Sequence, residues 1–252
     1  MNKIFIEGHR GYCSEYPENT LISFEAAMDI GADGFEFDIW LSKDKIPVLI
    51  HDGNCFRTCG ANRHVRDMML AEIKELDAGY AAKFGDRYIG KGIKIPTLEE
   101  MAALVRSKNP DYVLGVEIKE YTEETVDISV EILRQYGLFD RACFYAFDAP
   151  TIKWLKTKYG ARTMGYPDFQ MKRFDYTDKY RYYDAIGLNM SIVKSEIYDL
   201  YPKKNLPMHH YCADTTEDVK LCEEKGAVLI TANDLVPIMT YFGREMGQTK
   251  KI

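Results

Sequence analysis

The chain reads as an α/β protein, a TIM-type (β/α)8 barrel with a small insertion after the second strand. Three observations predict it. Short β-rich runs alternate with stretches of helical period eight times along the chain. The length of 252 residues suits one such barrel. The competing architecture, an open doubly wound sheet, usually opens on a glycine-rich turn, and no G-x-G-x-x-G is present. The domain reading is a single barrel over 1–252, with 53–95 as an insertion within it.

The expected strands are Lys3–Gly8, Gly34–Trp40, Tyr112–Ile118, Ala142–Phe147, Ala161–Tyr166, Ala185–Met190, Leu206–Cys212 and Val228–Thr231. The seven intervening segments read as helices, with Pro237–Phe242 as the last. Asn19 or Thr20 can cap the first helix, Leu21, Phe24, Ala27 and Met28 share one face, and Gly31 can close it. Thr97 and Glu100 form a capping box. Gly160 and Gly226 sit where two further helices stop. Ile46–Ile50 follows the second strand after only four residues, Ser42 to Lys45. A parallel crossover takes about a dozen residues or more, so this run returns as an antiparallel arm and brings His51 and Asp52 back toward the end of the second strand. Within 53–95 one helix is expected around Leu70–Leu76, and Tyr80, Phe84 and Tyr88 read as packing of a small insert.

The net charge of −6 and the lack of a basic run argue against a nucleic-acid partner. No signal peptide is evident and no apolar run approaches the ~20 residues of a membrane helix. Six cysteines, Cys13, Cys55, Cys59, Cys143, Cys212 and Cys222, are scattered through a chain too large to need staples. They read as free thiols in a reducing cytoplasm. His51, Cys55, Cys59 and His64 fit no common zinc spacing. Oligomeric state is left open.

The chemistry gathers at strand ends. Glu36 and Asp38 lie two apart on one strand, so both face the same way. Buried together they repel, and a divalent cation between them relieves the cost. Glu117 and Lys119 repeat the spacing, where a bare ion pair is the plainer reading. An all-oxygen set suits a hard ion, Mg²⁺ or Ca²⁺. His9 alone reads as a hydrogen-bonded structural histidine, and His51 likewise. But His9, Glu36, Asp38, His51, Glu117 and Lys119 all fall at or near the ends of consecutive units, which in a barrel meet at one mouth.

These residues sit in a pattern that resembles the glycerophosphodiester phosphodiesterase family, among the phosphatidylinositol-phospholipase-C-like barrel phosphodiesterases. The matching pieces are His9-Arg10-Gly11, Pro17-Glu18-Asn19-Thr20, Glu36-x-Asp38, Lys43-Asp44, Pro47-Val48 with His51-Asp52, Arg57-Thr58, Pro96 to Glu100, and Glu117-Ile118-Lys119. They cover the first half of the chain. The second half departs: Ala146-Phe147 stands where the family usually shows Ser-Phe, Tyr211-Cys212 where it shows Trp-Thr, and Thr231-Ala232-Asn233-Asp234 is close to its Thr-Asp or Thr-Asn. The resemblance implies hydrolysis of a small-molecule glycerophosphodiester to glycerol 3-phosphate and an alcohol. It implies Glu36, Asp38 and Glu117 as holders of one divalent cation and His9 and His51 as the acid–base pair. Arg10 and Lys119 are suited to grip the phosphate, and Tyr211 lies on the alcohol side. The departures leave a lysophospholipid or phosphoinositide as a second substrate class, and a non-catalytic binding protein as a third reading. Which histidine is acid and which base stays open, as does a cyclic intermediate against direct hydrolysis.

Overall fold

The computed structural model describes residues 3–249. Eight parallel strands close into a ring: β1 (Phe5–Gly8), β2 (Gly34–Leu41), β4 (Val113–Ile118), β5 (Ala142–Tyr145), β6 (Arg162–Gly165), β7 (Ala185–Asn189), β8 (Met208–Tyr211) and β9 (Leu229–Ala232). Closure comes from β1, which pairs with β2 on one side and β9 on the other. The ninth strand, β3 (Pro47–Leu49), runs antiparallel to β2, as the short connection requires.

Alternation along β2 builds two environments from one run. Phe35, Phe37 and Ile39 point outward into the core, where Phe24 stacks on Phe35 at 4.5 Å between ring centres. Glu36 and Asp38 point into the barrel. The register places Asp38 directly beside Glu117 on β4. Two carboxylates so placed destabilise the sheet unless something positive joins them.

The outer helices begin and end on local chemistry. Thr20, not Asn19, caps α1 (Leu21–Ile30), accepting from the Ser23 N–H, and Gly31 ends it at φ 96°. Three short helices, α2 (Phe56–Cys59), α3 (Leu70–Glu75) and α4 (Ala81–Phe84), lie between β3 and the next barrel helix. That helix, α5 (Leu98–Lys108), carries the expected Thr97/Glu100 capping box. Next come α6 (Glu123–Gln135) and α7 (Ala149–Tyr159), the latter capped by Asp148 and closed by Gly160 at φ 65°. Then follow α8 (Met190–Val193), α9 (Thr216–Glu224) and α10 (Leu235–Tyr241). The last begins two residues before Pro237, because a proline in the first turn forfeits no intrahelical hydrogen bond.

One connection differs from expectation. Between β6 and β7 the described residues form no α-helix, only a 3-10 turn at Asp168–Gln170. Pro167 precedes that turn, the Asp175 carboxylate takes the Thr177 N–H at 2.8 Å, and Arg173 and Lys179 turn left-handed. Side chains that bond nearby backbone groups compete with a helix ladder.

Segment 53–95 lies against the loop between β1 and α1. Tyr88 is buried there and donates its hydroxyl to the Glu15 carbonyl at 2.6 Å. Among the described residues no helix is long and apolar enough to cross a membrane. All six cysteines are unpaired.

Candidate active site

The C-terminal ends of the strands surround a cavity of about 450 Å³ whose wall includes His9, Arg10, Glu36, His51, Glu117, Lys119 and Tyr211. Asp38 is fully buried beside them. One carboxylate oxygen each from Glu36, Asp38 and Glu117 lie within 4.8 Å of one another. Glu36 Oε1 is buried and accepts no hydrogen bond, and Asp38 Oδ1, equally buried, meets the Lys119 ammonium at 3.1 Å. Buried carboxylate oxygens normally have partners, so an orphaned oxygen on one of three clustered carboxylates fits a hard cation. His51, Cys55, Cys59 and His64 do not gather: among the described residues the three carboxylates form the one potential metal-ligand cluster.

The site also contains cations that a strand-by-strand reading of Glu36 and Asp38 lacks. Lys119 Nζ lies 2.6 Å from Glu117 Oε1 and 3.1 Å from Asp38 Oδ1. Arg10 Nε lies 3.4 Å from Asp38 Oδ2. Burial opposes ionisation of Asp38, but Lys119 and Arg10 outweigh it and hold the carboxyl below the usual range. Glu36 gains less. Burial first, then the neighbouring Asp38 and Glu117, pushes it well above the ordinary carboxylate range. Burial pushes Glu117 up as well, against the pull of Lys119. Around this core Arg10 binds Glu18, and Arg57 binds both Glu18 and Asp52. Five carboxylates thus meet three cations, leaving a charge of −2 when all are ionised and the histidines neutral. A dication cancels that charge; without one, Glu36 is the group placed to keep a proton.

Local backbone fixes these positions. Arg10 is left-handed at φ 52° and Gly11 follows at φ 83°. That turn aims the Arg10 N–H at Glu36 Oε2, 3.0 Å away. A left-handed arginine costs on the order of 1–3 kcal/mol and persists only where its surroundings enforce it. A side chain at Gly11 would collide with Ser23. Asn19, also left-handed at φ 54°, donates through Nδ2 to Asp38 Oδ2 at 2.8 Å and accepts the Asp38 N–H at 3.2 Å.

The two histidines have different partners. His9 Nδ1 is 2.7 Å from Asn233 Oδ1, and its Nε2 is 3.9 Å from Glu36 Oε2. Burial, then the Arg10 charge, lowers His9 to about 4, so its ring is neutral at ordinary pH. His51 Nδ1 is 2.7 Å from Asp52 Oδ1, a carboxylate whose other oxygen takes Arg57 Nε at 2.5 Å. Across the cavity Phe147 stacks on Tyr166 at 3.6 Å, and Tyr211 meets Tyr166 edge-on at 5.7 Å.

Glu18, Asn19, Asp52 and Arg57 belong to the motifs that carry the resemblance, but their bonding to one another is visible only in three dimensions. Asn233 falls in the Thr231–Asp234 stretch that is close to the family's pattern, whereas Asp214 carries no such signal. Glu7, deeper in the barrel, is also unsignalled; it accepts from Thr231 Oγ1 at 2.7 Å and the Tyr145 hydroxyl at 3.1 Å.

Fold and mouth together define a class: a (β/α)8 barrel with an acidic, histidine-bearing pocket at the C-terminal strand ends. The profile of the Glycerophosphoryl diester phosphodiesterase family matches residues 9–234. A glycerophosphodiester phosphodiesterase of Caldanaerobacter subterraneus is 36% identical over 157 residues, 61% of this chain and 62% of that protein. One of Bacillus altitudinis is 39% identical over 151 residues, 58% of each chain. The chain therefore spans about three-fifths of the length of these relatives. An Oleispira antarctica phosphodiesterase, solved in complex with the product sn-glycerol-3-phosphate, superposes with a TM-score of 0.82 at 24% identity, covering 95% of this chain and 96% of that one. The chain belongs to the glycerophosphoryl diester phosphodiesterase family.

Proposed function

We propose that the chain hydrolyses glycerophosphodiesters to glycerol 3-phosphate and an alcohol, using one divalent cation and two histidines. The observation that carries this reading is the triad of buried carboxylates, Glu36, Asp38 and Glu117, beside a cavity whose wall includes Glu36, Glu117, His9 and His51. Those three hold the cation, Mg²⁺ or Ca²⁺. When bound it supplies charge withdrawal from a non-bridging phosphate oxygen. Arg10 and Lys119 add positive charge at the same phosphate, where the transition state gathers negative charge. One imidazole takes a proton from the attacking hydroxyl and the other gives one to the departing alkoxide. Tyr211, Tyr166 and Phe147 form an aromatic wall for the alcohol. We place the protein in a reducing cytoplasm on the strength of its six unpaired cysteines.

The test is release of glycerol 3-phosphate from a panel of diesters with different alcohols. His9→Ala and His51→Ala are each expected to lower turnover by roughly 10²–10⁴-fold with unchanged circular dichroism. Turnover equal to the parent in both variants would remove the acid–base assignment. A second reading, a lysophospholipid as the diester, is favoured by the apolar side of the cavity, where Met164 and Met190 join the three rings. Hydrolysis confined to lysolipids in the same panel would select it.

A further inference from the structure

Asn233 is held by more bonds than a loop asparagine needs. Its backbone N–H donates to Asp214 Oδ1 at 2.6 Å, and its side-chain Nδ2 donates to Asp214 Oδ2 at 2.6 Å. The next residue, Asp234, adds its own N–H to Asp214 Oδ1 at 3.2 Å. Asp214 thus spends both oxygens on one short segment at the end of β9. Its two contacts with Asn233 fix which way the amide faces. Reversed, Asn233 would set a carbonyl oxygen against a carboxylate oxygen at 2.6 Å, two acceptors with no hydrogen between them.

With Nδ2 committed to Asp214, the atom facing His9 is Oδ1. It lies 2.7 Å from His9 Nδ1 and also takes the Cys13 thiol at 3.1 Å. A carbonyl oxygen only accepts, so the ring nitrogen opposite it must carry the hydrogen. In a neutral imidazole the other nitrogen is then bare. That nitrogen, Nε2, lies on the Glu36 side of the ring, 3.9 Å from Glu36 Oε2. His51 has a carboxylate, Asp52, at the corresponding place, where His9 has an amide.

We propose that Asp214 and Asn233 are positioning residues that lock His9 as the Nδ1–H tautomer, so that His9 presents a bare Nε2 to the reacting hydroxyl and acts as the proton acceptor. Neither residue touches substrate; both act through the ring. This assignment rests on the phosphodiesterase reading for its consequence, but the tautomer itself is a property of the protein alone.

The test uses the full chain with ¹⁵N-labelled histidine. The two nitrogens of a neutral imidazole resonate far apart, and the order of the pair reports which one is protonated. The parent is expected to show His9 protonated at Nδ1. Asp214→Asn frees the Asn233 amide to reverse, and is expected to admit the Nε2–H form and to lower kcat at least tenfold with KM within about twofold. The double variant D214N/N233D exchanges the amide and the carboxylate. The amide now at position 214 can take the two backbone N–H groups on its oxygen and donate through its nitrogen to the carboxylate at position 233. That carboxylate can in turn accept from His9. The double variant is expected to restore the Nδ1–H form and most of kcat, which a loss due only to a damaged fold would not do. His9 protonated at Nε2 in the parent overturns the inference, as does an unchanged tautomer and kcat in D214N. The parent spectrum decides the matter even if D214N does not fold. A protein that shows the expected tautomer but hydrolyses no diester would fail the functional reading and leave the tautomer lock standing.

Discussion

Asn19 and Asp38 grip each other twice: the Asn19 amide donates to Asp38 Oδ2, and its oxygen receives the Asp38 backbone N–H. The clamp reaches from the loop before α1 to the middle of β2, and holds a proposed metal-binding carboxylate from behind. Partners of this kind typically contribute about 10–100-fold to metal affinity. Asn19 is left-handed, so glycine is the clean substitution, because it keeps that backbone geometry and removes only the amide. Asn19→Gly is expected to weaken Mg²⁺ or Ca²⁺ binding about 10–100-fold by calorimetric titration. Parent-like affinity would take Asn19 out of the account.

Lys119 places its ammonium between Glu117 and Asp38, so it competes with a cation for the same oxygens. Removing it leaves buried carboxylates with less compensation, and breaking a buried pair costs about 3–5 kcal/mol. Lys119→Met is expected to lower Tm in EDTA and to widen the gap between Tm in EDTA and Tm with saturating Ca²⁺. It is also expected to lower turnover through loss of a phosphate contact. Equal gaps in parent and variant would separate Lys119 from the cation site.

Glu7 gives a pH dependence that does not involve the metal residues. Burial raises its carboxyl to about 7, and hydrogen bonds from Thr231 and Tyr145 offset only part of that. Between the ordinary value of 4.5 and about 7 the folded chain keeps this proton while the unfolded chain releases it. The folded state binds more protons in that window, so stability falls as pH rises through it. The full effect is on the order of 3 kcal/mol. Glu7→Gln is expected to lose that decline and to gain stability relative to the parent at pH 8 but not at pH 4.5, in urea unfolding at each pH. Parallel pH profiles for the two proteins would contradict it.

Much of this arrangement was legible in the sequence because its signals are local. The spacing of Glu36 and Asp38 already placed them on one face, and the four-residue link before Ile46 already required an antiparallel return. Thr97 and Glu100 announced a helix start within four letters. What escaped needed contacts between distant segments. The β6–β7 connection reads as helical by period, but Asp175 satisfies backbone N–H groups locally, and a period count does not register that competition. Arg57 bridges Glu18 and Asp52 from an insertion whose own fold gave few cues. Asp214 and Asn233 lie 19 residues apart and meet only because β8 and β9 end side by side. The charge of Glu36 depends on neighbours from two strands, which no single-strand pattern can weigh.

The most direct test of the account is ³¹P NMR of glycerophosphodiester turnover by protein stripped of metal, with removal verified by elemental analysis. Hydrolysis should stop in the stripped protein, return with added Mg²⁺ or Ca²⁺, and yield glycerol 3-phosphate. Undiminished hydrolysis by verified metal-free protein would contradict the role given to Glu36, Asp38 and Glu117.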